Sequence, residues 1–236
     1  MNILSEEDLK NGVVDNRDFK VFSIKNVFNE DNINTIMHHY KRVEHYYQAV
    51  GYAGQRKWAL NQYPELFERL QTLVSDQLGE EVIASEVELC IYTPDFGYTP
   101  KLYPHCDNHI SDGQRITVSV QLDANIDWDL VVENKKYKCN KNEGIVFSGT
   151  QQVHWRDNVK FKDGDYYASV FAHFKYKNKK ELSVNQKDIL TYWEKVYQIE
   201  SGIPLEVSES DKKMGNWSLR NDWIEKANSV FFKGSE

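Results

Sequence analysis

From Glu80 onward the chain changes to the periodicity of short strands, and this constrains the fold more than any other feature. The segments "EVELCIYTP", "QRITVSVQLD", "WDLVVEN", "EGIVFSGT" and "YYASVFAHFKY" are rich in β-branched and aromatic residues. Turn material such as Asp112-Gly113 and Asp163-Gly164 separates them, and no helical pattern intervenes. Such a succession buries one face of every strand as an antiparallel barrel or a sandwich.

The flanks read differently. "DFKVFSIKNVF" has a loosely alternating strand pattern. Asn29 is placed to cap "EDNINTIMHHYKRVEHYYQAV", which has acids in its first turn and apolar residues at helical spacing. "YPELFERLQTLVSDQLGEEV" predicts a second helix, with Pro64 at its start, Phe67, Leu70, Leu73 and Val74 on one face, and Gly79 as C-cap. The tail returns to helix in "QKDILTYWEKVYQIE" and "NDWIEKANSVFF". The expectation is an α+β fold in one domain, 1–236: a β core over about 82–177, helical and strand support over 1–81, and a helical extension over 178–236.

The 236 residues are enough for a core, and 40% apolar content reads as globular. A net charge of −7 without long single-sign blocks disfavours a general nucleic-acid or anionic-membrane binder. No run approaches the ~18 apolar residues of a membrane span, and the polar start "MNILSEEDLKNGVV" lacks the pattern of a signal peptide. Three cysteines, Cys90, Cys106 and Cys139, form no zinc-type pairing, which predicts a reducing, cytoplasmic setting.

The chemistry gathers at "YPHCDNHI", residues 103–110. In an extended segment, side chains at i and i+2 share a face, so His105 and Asp107 point together and Cys106 points away. An imidazole and a carboxylate make a half-site for a divalent transition metal. Of the remaining histidines, His154 follows the strand "EGIVFSGT" and a polar turn, in "HWRD". A pair on one strand end and a lone histidine on another is the pattern of a 2-His-1-carboxylate triad, which leaves positions open and suits Fe(II). His109 reads as a loop residue, His38 and His39 as helix surface, and His45 as packing or solvent.

"IYTPDFGYTPKLYPHCDNHISDGQRITVSVQLD", followed by "NEGIVFSGTQQVHWRDNVKFKDGDYYASVFAHF", resembles the 2-oxoglutarate- and Fe(II)-dependent dioxygenases, in their prolyl-4-hydroxylase-like branch. The likeness runs over residues 85 to 176 and implies a double-stranded β-helix, or jelly roll, braced by N-terminal helices. It implies His105, Asp107 and His154 as iron ligands, with no catalytic residue beyond them. It also implies Tyr92 and Gln121 near the co-substrate. Parity agrees for the second: Arg115, Thr117, Ser119 and Gln121 share one strand face, and Ile116, Val118, Val120 and Leu122 the other.

One position departs from the pattern. Where the family has a lysine or arginine for the distal carboxylate of 2-oxoglutarate, this chain has Tyr166. A buried carboxylate needs a charge-assisted partner. Arg156, two residues beyond His154 and on the same face if extended, is the first candidate, and Arg115 the second. Tyr103, Trp155 and His173 are candidate substrate contacts.

The implied reaction couples decarboxylation of 2-oxoglutarate, with O₂, to hydroxylation of a peptide side chain or a small molecule. Asp107 in the ligand set implies hydroxylation over halogenation. Two other readings stay open: a cupin-like mononuclear metal enzyme that does not use 2-oxoglutarate, and a jelly-roll binding module without catalysis. The oligomeric state is not legible.

Overall fold

The computed structural model describes residues 4–42, 55–60, 63–94, 100, 102, 106–107, 116–133, 135–156 and 159–182. The first helix, α1 (Glu6–Lys10), opens on a capping box in which Ser5 and Asp8 satisfy each other's amides. Reading the sequence as merely polar here misses it, although Ser-x-x-Asp carries the signal. Strands β1 (Val13–Val14) and β2 (Phe22–Lys25) follow. Helix α2 (Glu30–Arg42) starts where the Asn29 side chain accepts from the Asn32 amide at 2.7 Å. Its predicted continuation past residue 42 lies outside the described residues.

Strand β3 (Gln55–Ala59) precedes α3 (Pro64–Leu78), which ends as expected at Gly79, in the left-handed conformation at φ 66°. Leu66, Leu70 and Val74, one turn apart, are buried and give α3 a single apolar stripe. The remaining strands are β4 (Val82–Tyr92), β5 (Ile116–Ala124), β6 (Leu130–Val132), β7 (Lys135–Tyr137), β8 (Glu143–Ser148), β9 (His154–Arg156), β10 (Tyr167–Tyr176) and β11 (Lys180–Glu181). The predicted C-terminal helices lie outside the described residues.

Six strands form one antiparallel sheet in the order β2-β8-β5-β10-β4-β3. Three more form a small antiparallel sheet, β7-β6-β9, and β1 pairs with β11 in parallel. The segment before residue 82 therefore does more than brace: β2 and β3 are the two edges of the large sheet. The architecture is α+β, mostly antiparallel sheet with few helices.

Alternation divides the large sheet into two faces. On the outer face Val87, Leu89, Ile91, Val118, Val120, Leu122, Val170 and Phe174 pack with Ile33 and Ile36 of α2 and the stripe of α3. On the inner face Cys90, Tyr92, Ile145, Phe147, Tyr167 and Phe171 pack against Trp128, Leu130 and Val132 of the small-sheet layer. The inner face also carries the polar residues of interest.

Candidate active site

At Ser148, β8 runs into the turn that leads to His154, and the polar side chains of this turn are used to anchor it. The Ser148 and Thr150 hydroxyls each donate to one oxygen of Glu181, at 2.6 Å. Gln151 accepts from the Asn16 amide at 2.8 Å and donates to the Leu182 carbonyl at 2.5 Å. Gln152 accepts from the Ser148 amide at 3.0 Å and donates to the Phe19 carbonyl at 2.9 Å. Glu133 accepts from the Val153 amide at 2.8 Å. Ser148, Thr150, Gln151, Gln152 and Glu181 are all buried. A buried polar network satisfied in this way holds one geometry.

Two backbone bonds tie Leu102 and Asp107 to β9 and to this turn: Arg156 N–H to the Leu102 carbonyl at 3.0 Å, and Asp107 N–H to the Gly149 carbonyl at 2.7 Å. Asp107 thereby meets His154, with Oδ1 3.5 Å from Nε2. The His154 ring is buried and its Nδ1 lies 3.1 Å from the Gln152 carbonyl. A carbonyl only accepts, so Nδ1 carries a hydrogen, and Nε2 is the ring nitrogen turned toward Asp107. The other Asp107 oxygen, Oδ2, accepts from Thr117 at 2.8 Å. Among the described residues no group of three or more His, Cys, Asp or Glu is arranged to hold a metal. His105, expected as the third ligand, lies outside the described residues; of the three expected ligands, Asp107 and His154 are described, and they lie side by side. Burial, followed by the nearby Glu133, Asp107 and Glu181, pushes the Cys106 thiol well up.

One step along the same strands lies a buried cation. Arg156 is 1% exposed. Its guanidinium donates to the Trp128 carbonyl at 2.5 Å and to Ser119 Oγ at 3.0 Å. It lies 4.3 Å from the Tyr167 ring centroid and 5.2 Å from that of Trp128. Tyr92 packs edge-on against Trp128, with centroids 4.8 Å apart. Among the described residues no carboxylate pairs with Arg156, and its Nε has no hydrogen-bond partner. The Tyr167 hydroxyl and Ser169 Oγ, also buried on the inner face, likewise have none. Burial pushes the Tyr167 hydroxyl up, which keeps it a neutral donor.

The two clusters share a spacing. Thr117 and Ser119 are two apart on β5, as are His154 and Arg156 on β9. In each pair the first residue faces Asp107 and the second lies at the guanidinium. Two strand residues span roughly 6.6 Å, a distance suited to a short dicarboxylate.

Of the other candidates, Tyr92 is in the aromatic surround of Arg156. Gln121 continues the Thr117–Ser119 face but is only partly buried. The Tyr166 hydroxyl donates to Asp123 at 2.8 Å, and that bond, ahead of burial, raises its pKa. It is the neighbouring Tyr167 that turns inward. Trp155 is buried, but alternation sets it on the side of β9 away from His154 and Arg156. His173 is buried, with Nδ1 3.1 Å from Thr117 Oγ1. Tyr103 and Arg115 lie outside the described residues. Sequence reasoning set Thr117 and Ser119 on the polar face of β5, and Ser169 on the same face as Tyr167 and His173, without giving Thr117, Ser119 or Ser169 a role. It missed Trp128 and Gly149, which nothing local marked.

With this geometry in place, comparison with solved structures places the fold. The chain is similar to an oxidoreductase of the 2OG-Fe(II) oxygenase family from Burkholderia pseudomallei, at 13% identity and TM-score 0.52, over 70% of this chain and 89% of that one. It is similar to the non-heme α-ketoglutarate-dependent epimerase of nogalamycin biosynthesis, at 12% identity and TM-score 0.51, over 66% of this chain and 77% of that one. A viral collagen prolyl hydroxylase of Paramecium bursaria Chlorella virus-1 aligns at 14% identity and TM-score 0.49, over 66% of this chain and 97% of that one. No protein-family model matches the sequence, and no curated protein matches it. At these identities the likeness is one of fold: the chain has the fold of 2-oxoglutarate- and iron(II)-dependent oxygenases. No helix among the described residues is long and apolar enough to cross a membrane.

Proposed function

We propose that the chain is an Fe(II)- and 2-oxoglutarate-dependent oxygenase, built on a double-stranded β-helix, that hydroxylates a peptide side chain or a small molecule. Arg156 is the observation that carries this reading. A guanidinium is always charged, and burying one without a counter-ion costs several kcal/mol. Buried charges of this kind cluster at functional sites, where an incoming anion can pair with them. Here the cation stands one strand step from His154, beside the buried Tyr167 and Ser169 hydroxyls, in place of the basic residue missing at Tyr166.

The donor set fits the metal. An imidazole nitrogen and a carboxylate oxygen face each other, and the far nitrogen of the imidazole is fixed by a backbone carbonyl, as metal-ligating histidines require. With His105, the reading has three protein ligands and open positions for a keto acid and O₂. When bound, Fe(II) supplies the redox chemistry that couples conversion of 2-oxoglutarate and O₂ to succinate and CO₂ with hydroxylation of the substrate. The chain's own part is position and surroundings. Arg156 takes the distal carboxylate in a two-pronged contact, and Tyr167 and Ser169 supply further hydrogen bonds to it. The rings of Trp128, Tyr92 and Tyr167 exclude water, which strengthens that pairing.

The test is anaerobic addition of Fe(II) and 2-oxoglutarate, followed by air and measurement of succinate. The expected result is a visible charge-transfer band and succinate from the wild type, and neither from Asp107→Ala. Unchanged succinate formation in that variant removes Asp107 from the site. Metal binding without any succinate favours the cupin-like alternative.

A further inference from the structure

A carboxylate that serves a metal has two oxygens, and an open site depends on keeping the second off the metal. We propose that Thr117 is the positioning residue for Asp107: its hydroxyl occupies Oδ2 so that Oδ1 alone is offered beside His154. This rests on the metal reading above and adds a residue outside the ligand set.

The hydrogen inventory fixes the direction of the contacts. Thr117 Oγ1 lies 2.8 Å from Asp107 Oδ2 and 3.1 Å from His173 Nδ1. A hydroxyl has one proton, and an ionised carboxylate only accepts, so that proton goes to Asp107. Thr117 must then accept from His173, whose Nδ1 carries hydrogen. His173 Nδ1 is itself 3.8 Å from Oδ2, beyond a hydrogen bond, so the imidazole acts through Thr117. The result is a polarised chain, His173 to Thr117 to Asp107.

Backbone packs closely where the carboxylate and the hydroxyl meet. Asp107 donates its amide to Gly149. A Cβ at Gly149 would stand 2.2 Å from Asp107 Oδ2 and 2.1 Å from Thr117 Oγ1. Only glycine admits the carboxylate and the hydroxyl together. Thr117 is fully buried on β5, in the middle of the large sheet, so its hydroxyl is aimed by a rigid strand.

The experiment is Co(II) titration of the full chain, followed by visible absorption, for the wild type, Thr117→Val, Thr117→Ala and Thr117→Ser. Loss of a partner behind a metal ligand typically costs about 10–100-fold in metal affinity. Both hydroxyl-less variants are expected to lose that much, with a weaker absorption band as the freed oxygen takes a further coordination position. Thr117→Ser, which keeps the donor, is expected within about threefold of the wild type. Equal affinity and equal spectra for the wild type, valine and alanine forms overturn the proposal. So does a serine form as weak as the alanine form, which assigns the effect to packing. If the valine form fails to fold, the alanine–serine pair decides. A wild type that binds no Co(II) overturns the metal reading itself, and this assignment with it.

Discussion

The two faces of the large sheet are built from the same strands by opposite rules. On β5, Val118, Val120 and Leu122 enter an aliphatic layer closed by α2 and α3. Thr117 and Ser119, interleaved with them, meet Asp107 and Arg156. On β10, Val170 and Phe174 face outward while Tyr167, Ser169 and His173 face inward. The outer face holds apolar groups in close packing, where each buried methylene adds stability. The inner face holds buried polar atoms that have no partner among the described residues, each at a cost to folding. Stability is concentrated on one side of a single strand, and the cost of the proposed site on the other.

That division is open to four tests, the largest effect first. Leu122→Ala removes a fully buried side chain of the outer face and should lower stability by about 2–5 kcal/mol. Urea unfolding measures this; the affinities for metal and 2-oxoglutarate should hold, and a parallel loss of affinity would show that the faces are not independent. Arg156→Leu reverses the pattern. Co-substrate binding should weaken by about 2–4 kcal/mol, while the stability of the ligand-free chain stays level or rises. Calorimetric titration and a thermal melt read the two quantities, and a large fall in stability with intact binding would make Arg156 a structural cation.

Smaller effects sharpen the boundary of the site. Gln152→Leu leaves the buried Ser148 amide without its acceptor and should destabilise by about 1–3 kcal/mol. Because the same turn presents His154, metal affinity measured on this variant should fall with stability. Tyr166→Phe removes a partly exposed hydrogen bond to Asp123 and should cost about 0.5–1.5 kcal/mol. Its 2-oxoglutarate dissociation constant should match that of the wild type; a clear rise would return Tyr166 to the co-substrate site.

Long and periodic elements were legible in advance. The alternation of "ITVSVQLD" and "YYASVFAHF" marked β5 and β10 and gave the correct parity for His173 with Tyr167 and Ser169. Gly79 and Asn29 marked helix ends through local backbone needs that depend on a few neighbours. Strands β3, β7 and β9 were not legible as strands. They are three to five residues long, too short to show a period, and they exist because a partner strand supplies their hydrogen bonds. The residues of β9 drew attention for their chemistry, not their conformation.

The sequence by itself determined the strand-rich core and the polar parity of β5, because adjacent side chains on a strand must point to opposite faces. It also offered Asp107 and His154 as candidates, and the resemblance added a nearby arginine. Only the tertiary structure decided what those groups meet. Thr117 reaches Asp107, Ser119 reaches Arg156, Glu181 holds Ser148 and Thr150, and Gly149 leaves room for a carboxylate, all through contacts between segments distant in the chain. Such contacts are set by which strands pair and in what register. Pairing is fixed by the packing of the whole core, and no local stretch of sequence encodes it.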